Sequence, residues 1–226
     1  MVSAYEFHPL EAMLLPLPET ASGALSIDAL PSLLDAMDGK AAVAIGPGLG
    51  TSSSTQKLLE AFIPKITLPL VIDADGLNIL SKSKILLKSL PEQTILTPHP
   101  KEMSRLTGMA TTSVLKDPLG ITQKFCRSHS VITLLKGAHS LIGFEDGRVR
   151  INPTGNPAIA TAGAGDVLTG IIGSFLAQGM KPEQAAIAGI YIHGLCGDLA
   201  IQDNQTATLI ASDLIHSLPK AISQLQ

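Results

Sequence analysis

Ala41-Ala42-Val43-Ala44-Ile45-Gly46-Pro47-Gly48-Leu49-Gly50 decides the fold. Its apolar first half reads as a short buried strand, and Gly46 to Gly50 closes that strand with a glycine-rich turn. A helical pattern follows from about Ser54 to Phe62. The same succession recurs down the chain. Leu70-Val71-Ile72-Asp73 leads through a turn into a short helix around Leu77 to Leu80. Thr94-Ile95-Leu96-Thr97 is stopped by Pro98 and Pro100, and Lys101 to Leu106 then reads as helix. Asp117 reads as the cap of a helix with Pro118 in its first turn, running to about Ser128. Val131-Ile132-Thr133-Leu134-Leu135 lacks polar alternation, as a strand buried on both faces does. Ser140 to Phe144 and Arg148 to Ile151 read as a hairpin across Glu145-Asp146-Gly147. The remainder is mostly helical: Asp166 to Gln178, Pro182 to about Ile201, and Ser212 to Leu225 with a break at Pro219. Strand–loop–helix repetition implies right-handed crossovers. The expected class is α/β, with a mainly parallel central sheet and helices on both faces.

Composition narrows the possibilities. A chain of 226 residues favours one domain, and 45% hydrophobic against 15% charged residues supports a sizeable core. Mean hydropathy is +0.32. The richest apolar stretch, Val167 to Leu176, is interrupted by Thr169, Gly170, Gly173 and Ser174, so it reads as a buried helix and no membrane span is expected. Met1 to His8 lacks a basic region followed by an apolar one, so no secretory signal is indicated. Cys126 and Cys196 show neither metal-type spacing nor a disulfide framework, and a reducing cytoplasm is the simpler expectation. A net charge of −3, no basic block, no Trp and 3% aromatic residues argue against nucleic-acid binding.

In sheets of this kind ligands bind beyond the carboxyl ends of the strands, and the unusual residues cluster there. Gly163-Ala164-Gly165-Asp166 opens a helix with small residues, which let backbone N–H groups and the helix dipole approach an anion. Asp166 then has two readings: helix cap, or general base beside a bound phosphate. Upstream Thr154-Gly155-Asn156-Pro157 and Ala160-Thr161-Ala162 favour the second. Gly46 to Gly50 is neither a Walker A loop nor a dinucleotide fingerprint; it is a plain turn or a backbone surface for a ligand. Pro98 and Pro100 fix His99 between them, as a ligand contact or a solvated loop residue. Glu102 follows, where a carboxylate complements the helix dipole. Asp73 and Asp75 could hold Mg²⁺ through water or make turn and cap hydrogen bonds. Lys136-Gly137-Ala138-His139-Ser140 puts a lysine at a strand end, where it can meet a phosphate or simply precede a hairpin turn. His193 reads as a packing residue.

Taken in order, these motifs resemble the ADP/ATP-dependent NAD(P)H-hydrate dehydratases, a ribokinase-like family. The series runs Gly46-Pro47-Gly48-Leu49-Gly50, Val71-Ile72-Asp73-Ala74-Asp75-Gly76-Leu77-Asn78, Leu96-Thr97-Pro98-His99-Pro100-Lys101-Glu102, Leu135-Lys136-Gly137-Ala138-His139, Thr154-Gly155-Asn156-Pro157 and Gly163-Ala164-Gly165-Asp166-Val167-Leu168-Thr169-Gly170. Each motif alone is weak or moderate; the ordered set, from about Pro9 to the C-terminus, is specific. The resemblance implies dehydration of hydrated NADH or NADPH with ADP or ATP as co-substrate and Mg²⁺ as cofactor, its ligands unassigned. It implies Asp166 as the base and a substrate contact, and Gly163, Ala164 and Gly165 as the anion hole. Lys136, Gly137, Ala138, His139, Ser140 and Asn156 match nucleotide-binding positions, and Gly48, Gly50 and His99 substrate contacts. Pairing with an NAD(P)H-hydrate epimerase is also implied.

Gly76 and Lys101 are mild departures from the family pattern. A larger one is that His8-Pro9-Leu10-Glu11-Ala12-Met13 is family-like almost from the first residue, so a strand and helix that family members carry upstream are expected to be missing. An exposed sheet edge would favour homo-oligomers. The alternatives are a small-molecule kinase that uses Asp166 identically, and a non-catalytic nucleotide-binding remnant.

Overall fold

A computed structural model describes residues 12–204 and 208–225. The readings placed on Met1 to His8, and on the family-like run as far as Glu11, lie outside the described residues. Six strands form one sheet in the order β1 to β6: Val43–Ile45, Leu70–Ile72, Ile95–Leu96, Ile132–Leu135, Leu141–Gly143 and Val149–Ile151. β1 to β4 are parallel, with Val43 opposite Leu70, Ile72 opposite Leu96, and Ile95 opposite Ile132. β5 and β6 are antiparallel additions, Leu135 facing Leu141 and Gly143 facing Val149. The expected hairpin and the mainly parallel sheet are both present.

Ten α-helices are described, here α1 Leu30–Ala36, α2 Ser53–Phe62, α3 Ala74–Leu80, α4 Lys84–Lys88, α5 Pro100–Thr107, α6 Thr111–Lys116, α7 Pro118–His129, α8 Ala164–Ala177, α9 Pro182–Asn204 and α10 Ala211–Ser223. Local chemistry sets several of their starts. The Ser52 hydroxyl accepts from the Thr55 N–H at the head of α2. Asp117 accepts from Gly120 at the head of α7, with Pro118 in the first turn as expected. α1, α4 and α6 are not legible in the sequence, because helices of 7, 5 and 6 residues are too short to display a period. Pro219 lies inside α10 and does not break it. Leu214 and Ala221, on either side of that proline, are fully buried in a cluster with Cys196, Leu199 and Ala200 of α9, and this packing holds the helix together.

The core is two-sided. Leu70, Ile72, Leu96 and Leu135 face α2, α3, α5 and α7 through Phe62, Leu77, Met103 and Phe125. Val71, Ile95, Ile132 and Leu134 face α8 and α9 through Leu168, Ile172, Ala186 and Ile190. Alternate residues of each strand thus meet opposite helix layers, which is why the strands read as unbroken apolar runs. Every crossover between parallel strands lies on the first face, and the C-terminal helices cover the second. α9 is long and apolar enough, by length and composition, to cross a membrane, a run that the sequence reading does not pick out. Most of it is buried inside the molecule, in contact with both α8 and α10.

Candidate active site

The carboxyl ends of β2, β3 and β4 open into a cavity of about 670 Å³, closed on the far side by the start of α8 and the loop 154–161. Asp73 follows β2. Its backbone is fixed by close packing: a Cβ on Gly46, which has φ +136, would lie 1.8 Å from the Asp73 carbonyl oxygen. The next residue, Ala74, has φ +47, a left-handed conformation uncommon outside glycine. The Asp73 side chain is 1% exposed, and Lys136 Nζ at the end of β4 donates to its Oδ1 at 2.8 Å. Thr169 of α8 donates to Oδ2 at 3.0 Å. Lys136 also lies 4.0 Å from Glu102 Oε2. One ammonium therefore stands between two buried carboxylates.

His99 follows β3 and heads α5. Its Nδ1 accepts from the Lys101 and Glu102 N–H groups, so the ring proton is assigned to Nε2. Glu102 completes the capping box by accepting the His99 N–H at 2.8 Å, and its other oxygen is 3.4 Å from Nε2. Desolvation lowers the His99 pKa; Glu102 opposes the shift and Lys136 adds to it. A neutral imidazole results, at the cavity wall and with its Nε2–H beside the Glu102 carboxylate.

Gly163 occupies the N-cap of α8 with φ +84, so the aspartate read as a possible cap is not one. Asp166 sits in the first turn, exposed at the cavity wall, and makes no hydrogen bond or ion pair among the described residues. The Gly165 and Asp166 N–H groups also find no acceptor there, whereas that of Val167 bonds the Gly163 carbonyl. A Cβ on Gly165 would lie 3.3 Å from Lys136 Nζ and 3.4 Å from Asp73 Oδ2, so the buried pair lies directly beneath two free donors at a helix N-terminus. Such an arrangement can receive an anion, with the Asp166 carboxylate at its rim.

The structure brings together most of the expected residues: His99, Lys136, Gly137, Ala138, Ser140, Asn156, Ala164, Gly165 and Asp166 all line the cavity. Gly163, His139, Gly48 and Gly50 do not line it. Gly163 serves as the cap, and His139 is exposed at the turn after β4. Gly48 and Gly50 lie in the neighbouring loop after β1, where the Gly50 N–H bonds Asp75 Oδ2 at 2.9 Å. Asp75 also receives Asn78, so of the two aspartates it is the one making turn hydrogen bonds, while Asp73 faces the cavity.

Sequence reasoning gives little weight to residues that prove central. Glu102 reads there only as a dipole complement. Thr169 lies inside the last glycine motif and Asn152 just before Thr154-Gly155, but neither carries a local sign of its role, and Ile190 and His193 lie well beyond these motifs on α9. His193 of α9 is buried; its Nε2 contacts the Ala164 carbonyl at 2.9 Å and its Nδ1 has no partner among the described residues. Its position within one helical turn of Gly194 and Gly197 is the only local sign that another segment packs close.

A mainly parallel sheet in this order, with a glycine-led helix over a lysine–aspartate pair, defines a ribokinase-like fold class. Arabidopsis thaliana ribokinase, complexed with ribose and ATP, shares the fold at TM-score 0.53 and 21% identity, covering 89% of this chain and 61% of that one. Within that class the chain belongs to the NAD(P)H-hydrate dehydratase family, whose model matches residues 4–220. The bifunctional NAD(P)H-hydrate repair enzyme of Moorella thermoacetica is 44% identical over 216 residues, 96% of this chain and 41% of the relative. The ADP-dependent (S)-NAD(P)H-hydrate dehydratase of Bacillus subtilis is 34% identical over 182 residues, 79% of this chain and 63% of its own length. The structure of the ADP/ATP-dependent NAD(P)H-hydrate dehydratase from Bacillus subtilis, co-crystallised with ATP/Mg²⁺, matches at TM-score 0.76 and 32% identity, covering 88% of this chain and 70% of that one. The chain spans well under half of the bifunctional relatives it matches.

Proposed function

We propose that the chain dehydrates hydrated NADH or NADPH, consuming the phosphate anhydride of ADP or ATP. The observation that carries this reading is Asp166: an exposed carboxylate, unpaired among the described residues, at a helix start with free N–H donors. Hydroxide is a poor leaving group and phosphate a good one, which gives the reaction its order. Asp166 accepts the proton of the ring hydroxyl as the hydroxyl oxygen bonds to the terminal phosphorus and the anhydride P–O bond breaks. The Gly165 and Asp166 N–H groups and Lys136 offset the charge on the transferring phosphoryl group. Phosphate then leaves the ring carbon, the ring nitrogen supplies the electron pair, and the adjacent carbon loses a proton. The reduced, conjugated ring is restored. His99 contributes its Nε2–H to the substrate. Pro157, Ile159, Leu168 and Ile190 give the cavity an apolar side suited to a nucleobase.

Magnesium belongs to the proposal. Among the described residues no three-ligand cluster exists, but magnesium commonly takes one or two carboxylates together with phosphates and water. Asp73 and Glu102, hard oxygen donors lining the same cavity, fit that requirement. When bound, the metal would supply positive charge to the phosphates.

Pairing with an NAD(P)H-hydrate epimerase accords with the bifunctional repair enzymes among the relatives. A homo-oligomer accords with β1 as an outer strand carrying an exposed Ala44, and light scattering tests it. Two free, buried cysteines accord with a reducing cytoplasm, which fractionation tests.

The decisive assay mixes the chain with hydrated NADH, Mg²⁺ and ADP or ATP and follows reduced-nicotinamide absorbance. Nucleotide-dependent recovery is expected, with kcat about 10²–10⁴-fold lower in Asp166→Asn. A phosphorylated product that accumulates without recovery would replace the dehydratase with a kinase.

A further inference from the structure

We propose that Asp198 is a positioning residue for nucleotide binding: from outside the cavity it holds the loop 154–160 in shape against α9. The proposal rests on reading that cavity as the nucleotide site. Gly194, Gly197 and Asp198 share one face of α9, three and four residues apart. The loop lies directly on the bare backbone of that face. A Cβ on Gly194 would meet Thr154 Oγ1 at 2.3 Å and its carbonyl carbon at 2.7 Å; one on Gly197 would meet Ile159 Cγ2 at 2.1 Å. Thr154 is tied down by donating to the Tyr191 carbonyl at 2.8 Å.

Asp198 then fixes the next two residues. One carboxylate oxygen accepts the Gly155 N–H and the other accepts Asn156 Nδ2–H, each at 2.9 Å. Asn156 Oδ1 in turn accepts the Ala158 N–H at 3.0 Å, opening the single helical turn Pro157–Ile159. Gly155 holds φ +99, a conformation open to glycine and strained for other residues, so the loop turns sharply at the point where Asp198 grips it. Thr154, Gly155, Asn156, Pro157, Ile159 and Ala160 all line the cavity, and Asp198 does not. A residue that touches no ligand thus sets the wall that does. Both of its oxygens face donors, so an asparagine at position 198 would turn one N–H group toward another.

That opposition supplies a test independent of net charge. Asn156→Asp alone sets two carboxylates against each other. Adding Asp198→Asn restores every bond. The amide then at position 198 accepts from Gly155 and donates to the carboxylate then at position 156, whose second oxygen takes the Ala158 N–H. Calorimetry measures the ADP dissociation constant of the native chain, both single variants and the double variant, with KM and kcat for dehydration alongside. Asp198→Asn is expected to weaken ADP binding about tenfold in the native background and to strengthen it about tenfold in the Asn156→Asp background, with kcat at saturating nucleotide within about threefold. The same substitution changing sign is the signature of the contact. Equal effects in the two backgrounds, or unchanged affinity in Asp198→Asn, would overturn the proposal. If a single variant fails to fold, the double variant decides: native-like ADP affinity supports the role, and loss of folding or of affinity overturns it. A chain that binds ADP but never restores hydrated NADH removes the dehydratase reading and leaves this comparison standing. A native chain that binds neither ADP nor ATP overturns both.

Discussion

Asp73 joins the two halves of the anion site. It is buried, and among the described residues Lys136 and Thr169 alone satisfy its carboxylate. Removing it would leave the Lys136 ammonium without its nearest partner in a largely buried setting. Asp73→Ala is expected to lower stability by about 3 kcal/mol or more in urea unfolding without nucleotide. Asp166 is the contrast. It makes no side-chain bond among the described residues, so Asp166→Asn should change stability by no more than about 0.5 kcal/mol while cutting turnover sharply. The pair of measurements separates a carboxylate that holds the site together from one that is free to react, as the proposed function requires of Asp166.

At the scale of elements, α10 carries the clearest local conflict. Pro219 removes the donor that the Ile215 carbonyl would receive, yet the helix runs through it. Pro219→Ala should raise stability by about 1–3 kcal/mol, read as a higher denaturant midpoint with an unchanged slope. The sequence overstates the proline because a local rule cannot see Leu214 and Ala221 packed against α9. The strands and the long helices are legible for the opposite reason. Val71 and Ile132 need apolar neighbours on both sides, and that need is written in consecutive residues. The site is legible where backbone geometry forces glycine, as at Gly46, Gly155 and Gly163. Asp166 resembles a cap in sequence because a positive-φ glycine can replace a capping side chain without leaving any local sign. Glu102 and Asp198 stay hidden because their partners lie elsewhere: Lys136 is on another strand, and Gly155 lies 43 residues before Asp198.

For the whole molecule, the two histidines at the cavity tie stability to pH. Burial lowers the pKa of both His99 and His193 from the ordinary 6.5, and for His193 the Ala164 carbonyl opposes the shift. The unfolded chain therefore binds more protons than the folded one below about pH 6.5. Stability should be full above that value and fall as pH drops through the folded-state values. Thermal unfolding across about pH 5 to 8 checks this, and His193→Gln should flatten the acid limb.

The placement of all crossovers on one face has a consequence for how the protein is made. During synthesis, residues through Leu135 can complete the four parallel strands and one helical layer. Val71, Ile95, Ile132 and Leu134 nevertheless stay bare until α8 and α9 leave the ribosome. A growing chain holds that oily surface open for the time needed to add roughly seventy more residues, about three to fourteen seconds. In this interval chaperones have their natural point of attachment. A message cut short between β6 and α8 should yield an insoluble product, and the chemistry becomes available only when the same late helices seal the sheet.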